Sequence, residues 1–378
     1  MMNYTSDYQE LKKIFDPGLK EISIPRSSTR IVNIRFLSDI DPGEFTGKHD
    51  SEISENREFS YPVFVPEECS SRKALLLLHG LNERSWSKYL AWGLHLSRET
   101  GRCVILFPIS FHINRAPSLW TDPRRMQEQV SRRISATTEK TLSSYANIAL
   151  STRLSEEPLR FFSSGYQTAF DIVKLMKQIR TGNHEIVTEG STVDIFSYSI
   201  GAFLSQVLLM GNPGNLFPDT RLYMFCGGSV FSQMQGTSRH IMDSLAYRRL
   251  NDYYSNDFEK EIVRDHPFSG FLKSTQIGMA FRSMIDTERF RTLRESLIIK
   301  LKDRIRSVAL RKDRIIPPEG IITTLSPALK SKASEIDVWD FPFDYSHENP
   351  FPLFSNNSSK DVDRSFERLI ADARLFFA

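Results

Sequence analysis

Cysteine is scarce in this sequence, with three residues among 378. Cys69, Cys103 and Cys226 are too few and too widely spaced for a disulfide framework or a zinc site. Cys103 and Cys226 fall within apolar, strand-like runs, so we interpret them as buried thiols. This scarcity excludes the small disulfide-stapled class and favours a reducing, cytoplasmic compartment.

Long hydrophobic segments and an excess of one charge are also missing. The opening segment MMNYTSDYQELKK lacks the apolar stretch of a signal peptide. The apolar run at 195–210 is shorter than the ~20 residues that cross a bilayer, and Gly201 interrupts it. The net charge is +3, and no basic block with interleaved aromatic residues is visible. We therefore expect neither a membrane span nor a nucleic-acid partner.

The apolar pattern predicts an α/β fold. Val32, Ile34 and Phe36 alternate with polar residues, and 57–65 repeats this half-buried strand pattern, with Pro62 typical of a sheet edge. The runs ALLLLHG (74–80) and CVILFPI (103–109) are continuous, as in strands buried on both faces of a parallel sheet. Further strand-like runs alternate with helical patterns to the end of the sequence: one ending before Ser199, then 221–228, 305–311 and 336–343. This order predicts a mostly parallel central sheet with helices on both faces.

We divide the chain into an N-terminal extension, residues 1–29, and one domain, residues 30–378. Two insertions, 110–159 and 229–303, interrupt the strand–helix alternation. Each follows the carboxyl end of a strand, where open α/β sheets place their binding crevice. The second is helical in pattern and rich in aromatic residues, which predicts a helical cap over a site, although a decorative surface insertion remains the alternative.

Ser199 lies where a buried strand gives way to a helical pattern, in the pentapeptide Ser197-Tyr198-Ser199-Ile200-Gly201. Serine is common at helix N-caps, so a structural role is one interpretation. The pentapeptide also resembles the nucleophile elbow of the α/β-hydrolases, a G-x-S-x-G turn in which flanking positions must be small. Gly201 fits this pattern, and Ser197 replaces its first glycine.

Three further features fall where the resemblance requires them. The pair His79-Gly80 ends a strand, and in the α/β-hydrolases such a pair opens the oxyanion loop. The resemblance implies that the Leu81 and Ile200 N–H groups bind the developing oxyanion, with Asn82 as an alternative donor. We expect His79 itself to be structural.

The resemblance also implies the remaining members of a catalytic triad. Asp313 lies in Asp313-Arg314-Ile315-Ile316-Pro317, which is similar to the loop that carries the family's acid. Asp340 and Asp344 are alternatives. His347 lies in a polar loop after the last strand, where the family's histidine sits, and it completes the order Ser…Asp…His.

These features imply a serine hydrolase that cleaves a carboxylic ester through an acyl-enzyme, with no metal or organic cofactor. Its substrate is a small-molecule ester or acyl compound. We expect apolar residues of the second insertion to suit an acyl or aromatic group if they face the crevice: Phe268, Phe271, Leu272, Met279 and Phe281. An amide or peptide hydrolase with the same triad, or a non-catalytic binding protein of this fold, stays open. The sequence leaves the oligomeric state and the substrate's identity open as well.

Overall fold

The apolar runs pair side by side in one open sheet. The computed structural model describes residues 3–67, 72–264, 266–329, 336–353 and 359–378, so Cys69 lies outside the described residues. Within these ranges the strands are β1 Glu21–Ser23, β2 Arg30–Leu37, β3 Glu58–Val65, β4 Lys73–Leu78, β5 Cys103–Phe107, β6 Thr192–Tyr198, β7 Leu222–Phe225, β8 Ile305–Leu310 and β9 Ile336–Trp339.

The strand order is β1-β2-β3-β5-β4-β6-β7-β8-β9. β1, β2 and β3 pair antiparallel with their neighbours, and β3 pairs antiparallel with β5. The strands from β5 to β9 are all parallel. The carboxyl ends of β4, β6, β7, β8 and β9 therefore meet at one edge of the sheet.

Helices cover the sheet and fill both insertions. They are α1 Tyr4–Ile14, α2 Gly43–Thr46, α3 Lys48–Ser51, α4 Ser54–Arg57, α5 Ser87–Thr100, α6 Pro123–Ser135, α7 Ile148–Glu156, α8 Arg160–Arg180, α9 Ile200–Gly211, α10 Ser244–Asp252, α11 Phe258–Val263, α12 Ser269–Ser274, α13 Gln276–Ser283, α14 Arg291–Ile299, α15 Pro318–Leu329 and α16 Ser359–Phe377. Short 3-10 helices span Ile113–Arg115, Ser118–Thr121, Pro213–Asn215 and Phe231–Gln233, and a π-helix, Tyr253–Asp257, joins α10 to α11.

The continuous leucine run of β4 is buried on both faces. Leu75 and Leu77 pack into a core with α1, α5 and α16, whereas Leu76 and Leu78 pack into a core with α8, α9 and the second insertion. Each buried leucine contributes about 1.5–3 kcal/mol relative to an exposed one. The fold is thus a mostly parallel sheet between two helical layers.

The N-terminal residues are part of this structure. α1 lies against α5 and α16, where Tyr4 is buried and the Thr5 N–H donates to Asp363 Oδ1 at 2.9 Å. β1 lies within the predicted N-terminal extension and pairs with β2. The sheet-edge prediction from Pro62 is wrong, because β1 and β2 lie beyond β3. Pro62 is tolerated because the β3–β5 ladder covers Val63 and Phe64 and stops short of it.

The two insertions are tied to each other. The first contains α6 and α7, and the second contains α10 to α14. Arg133 of α6 pairs with Asp243 at the start of α10, with Nε and Oδ2 2.5 Å apart, and Ser143 donates to the same carboxylate at 2.8 Å. They therefore form a connected layer above the carboxyl edge of the sheet.

Candidate active site

Ser199 occupies a strained turn between β6 and α9. Its backbone has φ 58° and ψ −123°, a combination that non-glycine residues rarely adopt. Ser199 stands at the N-cap position of α9, yet its side chain makes no capping hydrogen bond. The Ser199 side chain therefore does not act as a helix N-cap.

Close packing explains the small residues of the turn. A Cβ at position 201 would lie 2.7 Å from the Leu78 carbonyl oxygen and 2.9 Å from that of His79, so only glycine fits. Ser197 replaces the first glycine of the common pattern. Its hydroxyl donates to the Tyr223 carbonyl at 3.2 Å, so the extra atoms are accommodated within the sheet.

His347 joins Ser199 to Asp313. Its Nε2 lies 2.7 Å from Ser199 Oγ, and its Nδ1 lies 2.7 Å from Asp313 Oδ2. Because the carboxylate accepts from Nδ1–H, Nε2 is left as the acceptor for the serine proton. All three side chains are buried.

A tight turn fixes the Asp313 carboxylate. Its Oδ1 accepts from the N–H groups of Ile315 and Ile316, both at 2.9 Å, which leaves Oδ2 for His347.

Burial and the nearby Asp313 carboxylate raise the pKa of the Cys226 thiol well above its usual value. Cys103 and Cys226 are both buried, as expected.

The two alternative acids lie elsewhere. Asp340 accepts from the Tyr345 hydroxyl at 2.8 Å and lies 3.6 Å from Lys312, at the surface. Asp344 is exposed. Of the three carboxylates considered, Asp313 is the one that contacts His347.

The phenol of Tyr198 holds the His347 loop from below. Its hydroxyl donates to the His347 carbonyl, and its ring stacks on the imidazole at 5.4 Å. Lys88 Nζ lies 4.6 Å from the centre of the same ring and donates to the Glu348 carbonyl at 3.1 Å. Neither Tyr198 nor Lys88 was predicted to act at the site, since no local pattern distinguishes them.

Hydrogen bonds at His79 and Gly80 fix the loop that leads to Leu81. Burial lowers the pKa of His79 to about 3, so the ring is neutral; Nδ1 donates to the Gly80 carbonyl and Nε2 accepts from the Ile109 N–H. The Gly80 N–H donates to Tyr89 Oη at 3.0 Å. These bonds agree with a structural role for His79.

Asn82 connects this loop to both insertions. Its side-chain amide donates to the Ala146 carbonyl at 2.8 Å and to the His240 carbonyl at 2.6 Å. Both amide hydrogens are therefore engaged, which removes the Asn82 side chain as an alternative oxyanion donor. Ile200, in contrast, is the first residue of α9, so its N–H has no partner within the helix.

Two spaces adjoin the turn. A polar cleft of about 700 Å³, counting space open to solvent, is bordered by Ser199 and His347. An apolar cavity of about 890 Å³, measured in the same way, is bordered by Leu81, Ile200 and residues of α7, α8, α9, α12 and α13. Of the five insertion residues considered as contacts for an acyl or aromatic group, Phe271 and Phe281 border the cavity. Phe268 and Leu272 are fully buried in the core, and Met279 borders a separate surface cleft.

His112 borders the apolar cavity, and Trp120 borders a smaller adjoining space. Within the described ranges, no group of three or more His, Cys, Asp or Glu side chains is arranged to hold a metal ion. No helix in the described part of the chain is long and apolar enough to cross a membrane.

Comparisons with known proteins agree with this architecture. A carboxyl esterase from the fungus Tuber melanosporum aligns with a TM-score of 0.52 and 8% identity over 94% of this chain and 88% of that one. Two esterases align at lower TM-scores. One, from Rhizomucor miehei, gives 0.46 with 9% identity over 99% and 89% of the two chains. The other, from Pyrobaculum calidifontis, gives 0.44 with 10% identity over 98% and 88%.

The alignment with the Tuber melanosporum esterase, at a TM-score of 0.52, supports the fold alone. A search of curated proteins returns no match. A family model described as a family of unknown function, DUF6051, matches residues 41–378. The chain therefore belongs to the family DUF6051, and its fold is that of the α/β-hydrolase superfamily.

Proposed function

We propose that this chain is a serine hydrolase that cleaves a carboxylic ester through an acyl-enzyme. The observation that carries the proposal is the 2.7 Å separation of Ser199 Oγ from His347 Nε2, in a turn where the serine makes no capping bond. A nucleophile within hydrogen-bond reach of a base that is itself oriented by a carboxylate is the arrangement nucleophilic catalysis needs.

In this mechanism His347 Nε2 takes the Ser199 proton as Oγ attacks the ester carbonyl. Asp313 keeps Nδ1 protonated and stabilises the imidazolium. The Leu81 and Ile200 N–H groups bind the oxyanion, each lowering the barrier by about 3 kcal/mol. His347 then gives its proton to the alkoxide oxygen as the ester C–O bond breaks, which releases the alcohol. In the second half His347 takes a proton from water, which attacks the acyl-enzyme carbonyl, and returns it to Ser199 Oγ as the acid leaves.

The two insertions, 110–159 and 229–303, form the cap of this site in the proposal. Support comes from Asn82, whose amide reaches a carbonyl in each insertion from the loop that carries Leu81. The chain needs no cofactor for these steps, since each is a proton transfer or an acyl transfer by its own side chains.

The test is labelling with a fluorophosphonate probe, followed by mass spectrometry of the modified peptide. We expect one adduct at Ser199, none in Ser199→Ala, and an adduct retained in Ser197→Gly, which restores the commoner elbow residue. Asp313→Asn should lower ester turnover by about 10⁴-fold because the imidazole takes the wrong tautomer. A folded wild-type protein that neither reacts with the probe nor turns over esters would refute the proposal in favour of a binding protein.

The same preparation separates ester from amide hydrolysis. Matched ester and anilide substrates with one acyl group share the acylation site and differ in the leaving group. An amide hydrolase also cleaves the more reactive ester, so the proposal expects turnover of the ester and none of the anilide. Turnover of the anilide would assign the chain to the amide hydrolases instead.

A further inference from the structure

The polar cleft and the apolar cavity meet at one side chain. Among the described residues that border the two spaces, Leu81 alone is common to both. Its N–H is one of the two proposed oxyanion donors, and the other, at Ile200, belongs to a residue bordering the apolar cavity. A bound ester carbonyl therefore lies at the boundary between the two spaces.

The position of His347 assigns the two halves of the substrate. The leaving alcohol must lie beside His347 Nε2 to receive its proton. His347 borders the polar cleft and is absent from the lining of the apolar cavity. The alcohol therefore occupies the polar cleft, and the acyl group, on the other side of the carbonyl, occupies the cavity.

The cavity lining is suited to a hydrocarbon chain. Its wall consists mainly of aliphatic and aromatic side chains, among them Phe161, Phe203, Leu204, Phe271, Ile277 and Phe281. The two arginines that border it are both paired: Arg153 and Arg160 contact Asp50 at 2.9 and 3.0 Å. Such a wall favours the burial of acyl methylenes.

The charges of the polar cleft cancel. The Glu83 carboxylate pairs with Lys88 at 2.5 Å. The other two charged side chains considered at the cleft, Arg84 and Glu348, have opposite signs. Arg84 has no ion-pair partner among the described residues and lies over the Tyr145 ring at 5.3 Å. Glu348 accepts from the Ser238 hydroxyl. Donors and acceptors without net charge match a neutral alcohol that carries several hydroxyl groups.

We propose that the substrate is an ester of an apolar, medium-chain carboxylic acid with a neutral polyhydric alcohol. This inference rests on the proposed function and adds to it the orientation of the substrate.

Four substrates test the orientation, with the released acid followed by titration. Glycerol monooctanoate has the proposed design, and propyl octanoate lacks two of its hydroxyls. Glycerol monobutyrate shortens the acyl chain, and octyl glycerate reverses the polarity. We expect kcat/KM for glycerol monooctanoate to exceed that for each of the others by about 10-fold or more.

Variants locate each half of the substrate. Gly165 of α8 borders the cavity, and a Cβ there meets nothing within 4 Å. Gly165→Phe should lower kcat/KM for glycerol monooctanoate by about 10- to 100-fold and spare glycerol monobutyrate. Gly270→Phe is the matched control, since Gly270 is an exposed helical glycine with the same free space and borders neither cavity nor cleft. Arg84→Met should lower the ratio of kcat/KM for glycerol monooctanoate to kcat/KM for propyl octanoate by about 10-fold.

The outcomes separate this inference from the proposed function. Labelling of Ser199 together with a preference for octyl glycerate, or an unchanged chain-length profile in Gly165→Phe, would overturn the assignment while the hydrolase stands. Absence of both labelling and turnover would instead remove the proposed function itself.

Discussion

The ring of Tyr198 lies face to face with the imidazole of His347, with centroids 5.4 Å apart and planes inclined by 19°. Its hydroxyl donates to the carbonyl of the same histidine. Burial raises the pKa of Tyr198 well above its usual value, so the phenol stays protonated and remains a donor. Tyr198 and Ser199 are consecutive in the chain, so the segment that carries the proposed nucleophile also positions the proposed base.

Tyr198→Phe keeps this stacking and removes the hydrogen bond. We expect kcat for ester hydrolysis to fall about 10-fold with little change in KM, because the imidazole is held less firmly. Steady-state kinetics measures this, and Tyr345→Phe is the control, since that hydroxyl contacts Asp340 in the same region. Equal kinetics for both variants would contradict a positioning role for Tyr198.

Gly201→Ala should disrupt the turn. The added methyl group would lie 2.7 and 2.9 Å from the backbone oxygens of Leu78 and His79. We expect a loss of about 1–3 kcal/mol in the free energy of unfolding, together with loss of fluorophosphonate labelling. Gly165→Ala, in open space within α8, should stabilise the protein by up to about 1 kcal/mol. Denaturant unfolding of the pair decides this, and equal stability of both variants would disprove the crowding argument.

Asn82→Gly should loosen the connection between the oxyanion loop and the insertions. Asn82 has φ 59°, which glycine adopts without cost, so the substitution removes the two tethering hydrogen bonds and spares the backbone. We expect kcat to fall about 10-fold and amide exchange to accelerate around Ala146 and His240. Asn215→Gly is the matched control, because Asn215 is an exposed residue with φ 52°. Unchanged exchange in both segments would count against the tether.

The buried histidines should make the protein acid-sensitive. Burial lowers the pKa of both His79 and His112 to about 3 from the usual 6.5. As the pH falls below about 6.5, the unfolded chain binds these protons and the folded chain does not until about pH 3. The contribution of these histidines to the free energy of unfolding is therefore complete above about pH 6.5. It declines as the pH falls from about 6.5 to about 3, by about 1.4 kcal/mol per pH unit for each proton.

His112→Leu tests this linkage directly. Between about pH 6 and about pH 4, the free energy of unfolding of this variant should decline less steeply than that of the wild type. The slopes should differ by up to the value for one proton. His49→Leu, at an exposed histidine, should leave the slope unchanged. Denaturant unfolding at several pH values provides the measurement, and parallel curves for wild type and His112→Leu would rule out this role for His112.

Much of the fold was predictable because its signals are local. The continuous run of β4 and the alternation of β2 identify strands, and strand ends place Ser199, Asp313 and His347 at one sheet edge. Their order along the chain then restricts the topology. The resemblance led us to expect these three side chains together, and His347 contacts both of the others in the structure. Their catalytic roles stay a proposal.

The missing parts depend on partners far away in sequence. The Asn82 amide binds carbonyls 64 and 158 residues away, and no pattern near position 82 encodes those partners. β1 is three residues long, too short for a periodic signal, and forms because β2 offers it an edge. Phe271 and Phe281 of the second insertion border the cavity, whereas Phe268 is in the core. No sequence pattern separates them, because all three lie in one apolar segment.

The contact between α1 and α16 has a consequence for the order in which the protein is made and folds. The bond from Thr5 to Asp363 spans 358 residues, and Tyr4 packs against Phe366 with ring centres 4.3 Å apart. The part of its partner surface that α5 supplies follows α1 closely in the chain, whereas the part that α16 supplies comes almost 350 residues later. During synthesis α1 can therefore pack first against α5, and its contact with α16 is among the last in the protein to form.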